Sequence, residues 1–314
     1  MESYLGIVNL IKKIESLFFV PQCLSGKKIK MKKILVTGAT GQLGSELKVL
    51  SENYSQFEWV FADRAQVSLD NLKVLQSQLA TIHPDFILNC GAYTAVDKAE
   101  TEQELANTVN HLAVGIIAQY AKEHTVKLIH ISTDYVFDGT SSVALTEEAI
   151  TKPINVYGSS KRAGEIACLK ANSDAIIIRT SWVYSSFGNN FVKTMQRLLQ
   201  ERDTISVVND QIGSPTYAGD LAEALMTIVT APKWIPGIYN YSNEGEISWY
   251  EFVLAIKEIG EYTCEVNGIP SSAYPTPAKR PAYSLLDKSK IKKTYGVSVP
   301  DYKESLKKSL KFKV

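Results

Sequence analysis

Residues 33–47 read KILVTGATGQLGSEL: a short apolar run, glycines at 38, 41 and 44, and the opening of an amphipathic helical pattern. Each glycine answers a different steric need in a turn that carries backbone up to a pyrophosphate. Gly38 allows the tight turn, Gly41 lets the main chain approach the phosphates with no Cβ in the way, and Gly44 lets helix pack closely on strand. The helix that begins there offers unpaired N–H groups and the positive end of its dipole. Asp63 closes the next apolar run, FEWVFAD (57–63), where a ribose-binding carboxylate is expected, and Arg64 follows it. A carboxylate suits the ribose hydroxyls of NADH and a guanidinium suits the 2′-phosphate of NADPH, so either cofactor is open.

From Lys32 onward, short apolar runs alternate with helical stretches as far as RTSWVY (179–184). Continuous apolar strands separated by helices predict an α/β fold, a doubly wound, Rossmann-like parallel sheet covered on both faces. The dinucleotide-binding domain is expected over residues 31–183. A smaller, less regular C-terminal substrate domain is expected over 184–314, with segments near 204–230 returning to the first. Helices are expected over 104–124 and near 155–171, and beyond Tyr239 prolines and turns multiply.

Residues 1–30 are read as an extra leader outside the core. LGIVNLIKKIESLFFV (5–20) has helical apolar spacing, but Lys12, Lys13 and Glu15 interrupt it. It is too short and too charged to span a bilayer and lacks the basic start and small-residue cleavage site of a secretory signal. Either Met31 begins the working chain or the leader is an amphipathic tail. A formal charge of +1 with 21% charged residues gives no electrostatic reason to expect nucleic acid or an anionic membrane as partner. The four cysteines are scattered with no CxxC pair, and the four histidines form no HExxH motif. Neither a zinc site nor a disulfide framework is expected, and a reducing cytoplasm fits.

Tyr157 and Lys161, in NVYGSSK (155–161), stand four residues apart and so share one side of a helix. A phenol of ordinary pKa, about 10, is a poor acid–base group near neutrality, and a neighbouring ammonium stabilises its phenolate. Such a tyrosine can give a proton to an alkoxide forming at a reduced carbonyl. The pair follows KLIHISTDYVFDG (127–139), whose strand ends near Ser132 and Thr133, where open α/β sheets hold their ligands. Thr133, or alternatively Ser132, supplies a hydroxyl to the same carbonyl oxygen.

In chain order, TGATGQLG, AYTAVDKAE (92–100), STDYVFDG (132–139), PINVYGSSK, RTSWVY and QIGSPT (211–216) resemble the extended short-chain dehydrogenase/reductase family. Within it they resemble the branch that acts in dTDP-rhamnose synthesis, from about Lys32 to the last helix. The resemblance implies hydride transfer from NADPH or NADH to C4 of dTDP-4-dehydro-β-L-rhamnose, giving dTDP-β-L-rhamnose. It casts Tyr157 as proton donor, Lys161 as holder of the nicotinamide ribose and modulator of the phenol, and Thr133 as oxyanion partner. Gly41, Gln42 and Leu43 are placed on the pyrophosphate, Asp63 and Arg64 on the adenosine ribose, and Ala92, Tyr93 and Thr94 along the cofactor. Thr133, Asp134 and Trp182 meet the sugar, and Arg280 is either a ligand of its diphosphate or a surface arginine. Asn110 is either a member of a proton relay or a buried polar residue of its helix. Tyr93 stands where relatives often carry histidine. Some relatives form homodimers with interfacial magnesium, for which Glu46 is the candidate ligand; an exposed helical glutamate is the alternative. A nucleotide-sugar epimerase, a reductase of another nucleotide sugar and a non-catalytic regulatory subunit of methionine adenosyltransferase are the competing readings.

Overall fold

Ile34 and Val36 face one way from strand β1 (Lys32–Thr37), Leu35 faces the other, and all three are fully buried. A strand apolar on both sides has to be covered on both sides, as in a parallel sheet between two helical layers. The computed structural model describes residues 31–311, so the leader lies outside the described residues. After β1 come strands β2 (Phe57–Ala62), β3 (Phe86–Asn89), β4 (Lys127–Thr133), β5 (Ile176–Thr180) and β6 (Gly237–Asn240). They form one six-stranded sheet in the order β2-β1-β3-β4-β5-β6, with every pairing parallel.

The longer helices are α1 (Gln42–Leu50), α2 (Leu72–Ile82), α3 (Ala113–Glu123), α4 (Val156–Ala171), α5 (Phe191–Glu201), α6 (Ala218–Thr230), α7 (Trp249–Ile259) and α8 (Tyr302–Lys311). Leu47 of α1 and Leu221 and Leu225 of α6 close over Ile34, Val36 and Leu88 on one face. Leu75 and Leu79 of α2, Ile117 of α3 and Cys168 of α4 close over Leu35, Ile87, Leu128 and Ile177 on the other. A separate apolar cluster joins Val192 of α5, Phe252 and Ile256 of α7 and Leu306 of α8 to the two-stranded parallel sheet of Thr204–Val208 and Glu265–Ile269. Among the described residues no helix is long and apolar enough to cross a membrane.

Three local features depart from the sequence reading. The apolar run at 204–208 pairs with Glu265–Ile269 and stays out of the main sheet. The sixth strand, β6, falls at the start of the stretch that reads as turn-rich, because only four residues of it are needed to pair with β5. The helix expected over 104–124 is broken: Gln103–Asn107 is α-helical, Thr108–Leu112 forms a π turn, and α3 follows. A π turn inserts one residue and rotates what comes after it, a device common near functional sites. Here it carries Asn110, which is buried.

The chain passes from β1 to β2 on one side, then returns past β1 to build β3 on the other. The loops leaving β1 and β3 therefore diverge, and a crevice opens between them at the C-terminal edge of the sheet. Behind that edge a buried ion pair fixes α4 to the strand ends. The fully buried Glu165 accepts from Nε and Nη2 of Arg179 at 2.8 Å each, from the Ser132 hydroxyl at 2.7 Å and from Arg162 at 2.9 Å. Removing one partner of such a pair strands the other charge in a dry interior. Glu165→Ala is expected to lose about 3–5 kcal/mol of unfolding free energy in denaturant titration. An unchanged midpoint would show that the network does not hold α4.

Candidate active site

Helix α4 is started by Asn155, whose Oδ1 accepts from the Gly158 N–H at 2.7 Å while its Nδ2 donates to the Lys279 carbonyl at 2.7 Å. The first turn then presses against the turn after β4. A Cβ on Gly158 would lie 2.2 Å from the Tyr135 carbonyl oxygen, so only glycine permits this approach. The contact seats Tyr157 edge-on to the Tyr135 ring, at 5.5 Å between centroids, and beside Thr133 at the end of β4. Lys161 follows one turn along and is 2% exposed.

The glycine turn stands opposite. Gly38 has φ +65°, and a Cβ there would meet the Gly91 backbone at 2.6 Å, so the loops after β1 and β3 touch main chain to main chain. Gly41 caps α1 without any side-chain hydrogen bond, leaving the first N–H groups of that helix open to the crevice. One cleft of about 690 Å³ is lined by Gly38, Gly41, Gln42, Leu43, Ala92, Thr94, Thr133, Asp134, Tyr157, Lys161 and Trp182. Eleven of the expected site residues thus converge from five parts of the chain.

Electrostatics inside the cleft are set by burial. The Tyr157 phenol is pushed up to about 12, chiefly by desolvation; the Thr133 hydroxyl draws it down and Asp134 raises it. The expected lowering by Lys161 is not what this geometry provides, because the ammonium donates to the Ile131 carbonyl at 2.6 Å. Desolvation brings Lys161 itself down to about 8, partly opposed by the nearby Glu165 and Cys90. Asp134 is pushed up to about 6 by burial, with the Ser284 and Thr133 hydroxyls acting against the shift. Its Oδ1 accepts from Thr133 at 3.0 Å; its Oδ2 is buried, with the Ser284 hydroxyl nearby but no partner in hydrogen-bonding geometry. Such an orphaned acceptor beside a cleft suits a ligand hydroxyl. Ser132, the alternative to Thr133, spends its hydroxyl on Glu165.

A second pocket, of about 210 Å³, continues past Gly38 and Ala92 and is lined by Arg64, Val67, Leu69, Asp70 and Tyr93. Arg64 is ion-paired with Asp70, whose other oxygen accepts from Ser68 at 2.6 Å. Asp63 caps its own turn, its Oδ1 accepting from the N–H groups of Ala65 and Gln66 at 2.9 and 3.0 Å. The Tyr93 hydroxyl donates to Glu102 at 2.8 Å. Asn110 clamps the Tyr93 peptide from both sides: Oδ1 accepts from its N–H and Nδ2 donates to its carbonyl, each at 2.9 Å, with a further bond to Ser160 at 3.1 Å. The side chain of Asn110 is therefore a brace for the cofactor-side loop.

Two expectations change. Glu46 is not exposed; its carboxylate accepts from Ser185 at 2.6 Å and from Tyr217 at 3.4 Å, ties that cross 139 and 171 residues of sequence. Among the described residues no group of three or more histidine, cysteine or acidic side chains is placed to hold a metal ion. Arg280 is half-buried and forks onto Asp97 at 3.1 and 2.8 Å, and Asp97 also accepts from the Ala278 N–H. The guanidinium clasps its own loop while lining a third groove, of about 870 Å³, that meets the main cleft at Tyr135 and Trp249. Trp249 was not singled out in the sequence. Its signal was the capping box Ser248–Glu251, which announces a helix whose first residue is a tryptophan.

These residues fit a dinucleotide: a glycine cradle that a Cβ would fill, open helix N–H groups for the diphosphate, and a cleft reaching from there to a buried Tyr–Lys pair. Comparison with known proteins agrees. The RmlD substrate binding domain family matches residues 31–313. A dTDP-4-dehydrorhamnose reductase from Aggregatibacter actinomycetemcomitans is 42% identical over 289 residues, covering 88% of this chain and 98% of the relative. The dTDP-4-dehydrorhamnose reductase of Clostridium acetobutylicum superposes with a TM-score of 0.85 at 34% identity, over 89% of this chain and 98% of the other. The Bacillus anthracis enzyme, solved in complex with NADP, superposes with a TM-score of 0.86 at 35% identity, over 90% and 99%. The chain belongs to the dTDP-4-dehydrorhamnose reductase (RmlD) family.

Proposed function

We propose that this chain reduces the C4 ketone of dTDP-4-dehydro-β-L-rhamnose to dTDP-β-L-rhamnose, using NADPH or NADH. The observation that carries the reading is the meeting of the Tyr157 phenol and the Thr133 hydroxyl in the cleft that the glycine turn opens. NADPH, when bound, supplies the hydride. Gly41, Gln42 and Leu43 hold its diphosphate on the end of α1, and Ala92, Tyr93 and Thr94 follow its length. Arg64, at the rim of the smaller pocket, supports NADPH through its 2′-phosphate.

A phenol near 12 is fully protonated at neutral pH, which is the state a reductase needs in its proton donor. Tyr157 passes its proton to the C4 oxygen as the hydride reaches C4, and Thr133 donates to the same oxygen. The Lys161 ammonium, steadied by the Ile131 carbonyl, donates to the nicotinamide ribose. The orphaned Oδ2 of Asp134 accepts from a sugar hydroxyl, and Trp182 walls the ring. The groove beyond Tyr135 and Trp249 takes the nucleotide diphosphate, with Arg280 on its lining. The free thiols of Cys90, Cys168 and Cys264 support a reducing, cytoplasmic setting.

Supplied with dTDP-4-dehydrorhamnose, the purified protein is expected to oxidise one equivalent of NADPH, read as the loss of reduced-nicotinamide absorbance. Tyr157→Phe is expected to lower kcat by ~10²–10⁴-fold with little change in NADPH affinity. Turnover without net NADPH oxidation would identify an epimerase, and near-normal kcat in the variant would remove Tyr157 as the acid.

The pH dependence follows from the two shifted groups. Asp134 must be ionised to accept, so kcat/KM falls as pH drops through about 6; Lys161 must be charged, so it falls again as pH rises through about 8. Asp134→Asn is expected to abolish the acid limb and Lys161→Arg to move the alkaline limb upward. Limbs unmoved by either change would assign the titrations to other groups.

A further inference from the structure

Trp182 is a bulky residue with φ +48°, in the left-handed region that such side chains avoid unless their surroundings hold them there. Two neighbours crowd it there. On one side its ring stacks on Trp249, with centroids 3.7 Å apart and planes at 14°. The indole also lies so close to Gly213 that a Cβ there would be 3.0 Å from its Cζ2. Trp249 is itself immobilised. It is the first residue of α7, locked by the reciprocal Ser248–Glu251 cap, with Phe191 packed against it at 4.4 Å between centroids.

Trp249 and Tyr135 line both the main cleft and the adjoining groove, whereas Trp182 lines the cleft alone. The indole of Trp249 therefore stands at the junction through which a sugar nucleotide, with its sugar at Tyr157 and its nucleotide in the groove, has to run. We infer that Trp249 is a positioning residue for the nucleotide sugar: it holds Trp182 by stacking in a backbone conformation the chain would otherwise leave, and so sets the wall against which the sugar ring is aligned. This rests on the function proposed above. The strain at Trp182 is the device, since a ring held in place by the Trp249 stack and the close approach of Gly213 presents the same face to every incoming sugar. Relaxing that strain moves the wall while leaving the glycine turn, Tyr157 and Lys161 where they are.

The test compares Trp249→Ala and Trp249→Phe with the unaltered enzyme, measuring KM for dTDP-4-dehydrorhamnose and, separately, the NADPH dissociation constant by nicotinamide fluorescence. Trp249→Ala is expected to raise the sugar KM by about tenfold or more, the worth of one lost aromatic stack, while the NADPH constant stays within about twofold. Trp249→Phe, which keeps a stacking ring, is expected to recover most of the sugar affinity. A sugar KM unchanged in Trp249→Ala would overturn the inference. So would a parallel loss of NADPH and sugar affinity, which would mark Trp249 as a general packing residue. Failure of the functional reading has a different signature: the unaltered protein would bind NADPH and oxidise none of it with this sugar.

Discussion

The contact on which the rest depends is the backbone-to-backbone approach of Gly38 and Gly91, with no side chain between them. It lies at the place where the order of strands reverses, between β1 and β3. Because the two loops leave that point in opposite directions, the crevice above it is a consequence of topology rather than of any particular side chain. Glycine on both sides keeps the crevice floor low enough for a dinucleotide to lie on main-chain N–H groups. Everything with chemical character is then arranged along the rim of that floor.

The docking of α4 is what brings Tyr157 and Lys161 to the crevice. Its first turn rests on the Tyr135 carbonyl through Gly158, and its middle is anchored by Glu165 to Arg179 and Ser132. Both contacts lie within one or two turns of Tyr157 and Lys161, so the pair inherits the rigidity of the strand ends. Burial has opposite consequences for the two groups: it keeps the phenol protonated and makes the ammonium easier to discharge. In the proposed mechanism, a phenol kept protonated and a lysine drawn down to about 8 set the alkaline edge of the window for reduction.

Much of this could be read in the chain itself, where the cause was local. The glycine spacing, the Tyr157–Lys161 interval and the apolar runs of β1 to β5 each depend on neighbours within a few residues, and they announced the sheet, the turn and helix α4. What escaped reading depends on partners far away in sequence. Glu46 looks like any helical glutamate until Ser185 and Tyr217 come to meet it. Arg280 looks like a free cation until Asp97, 183 residues before it, takes its fork. The four residues of β6 carry too short a pattern to stand out from a turn-rich stretch, and they become a strand only because β5 offers them an edge. The π turn at Thr108–Leu112 is invisible to a helical period, since it alters the phase by one residue and leaves the composition unchanged.

The central claim is that hydride and proton arrive at opposite ends of one carbonyl, the hydride at carbon and the Tyr157 proton at oxygen. Tracing deuterium tests it most directly. NADPH labelled at the transferring position of its nicotinamide is incubated with dTDP-4-dehydrorhamnose and the enzyme, and the sugar product is examined by NMR. The account predicts a single deuterium bonded to C4 of dTDP-β-L-rhamnose, in step with the NADPH consumed. A product whose C4 hydrogen comes from solvent, or whose label appears at another carbon, would contradict it.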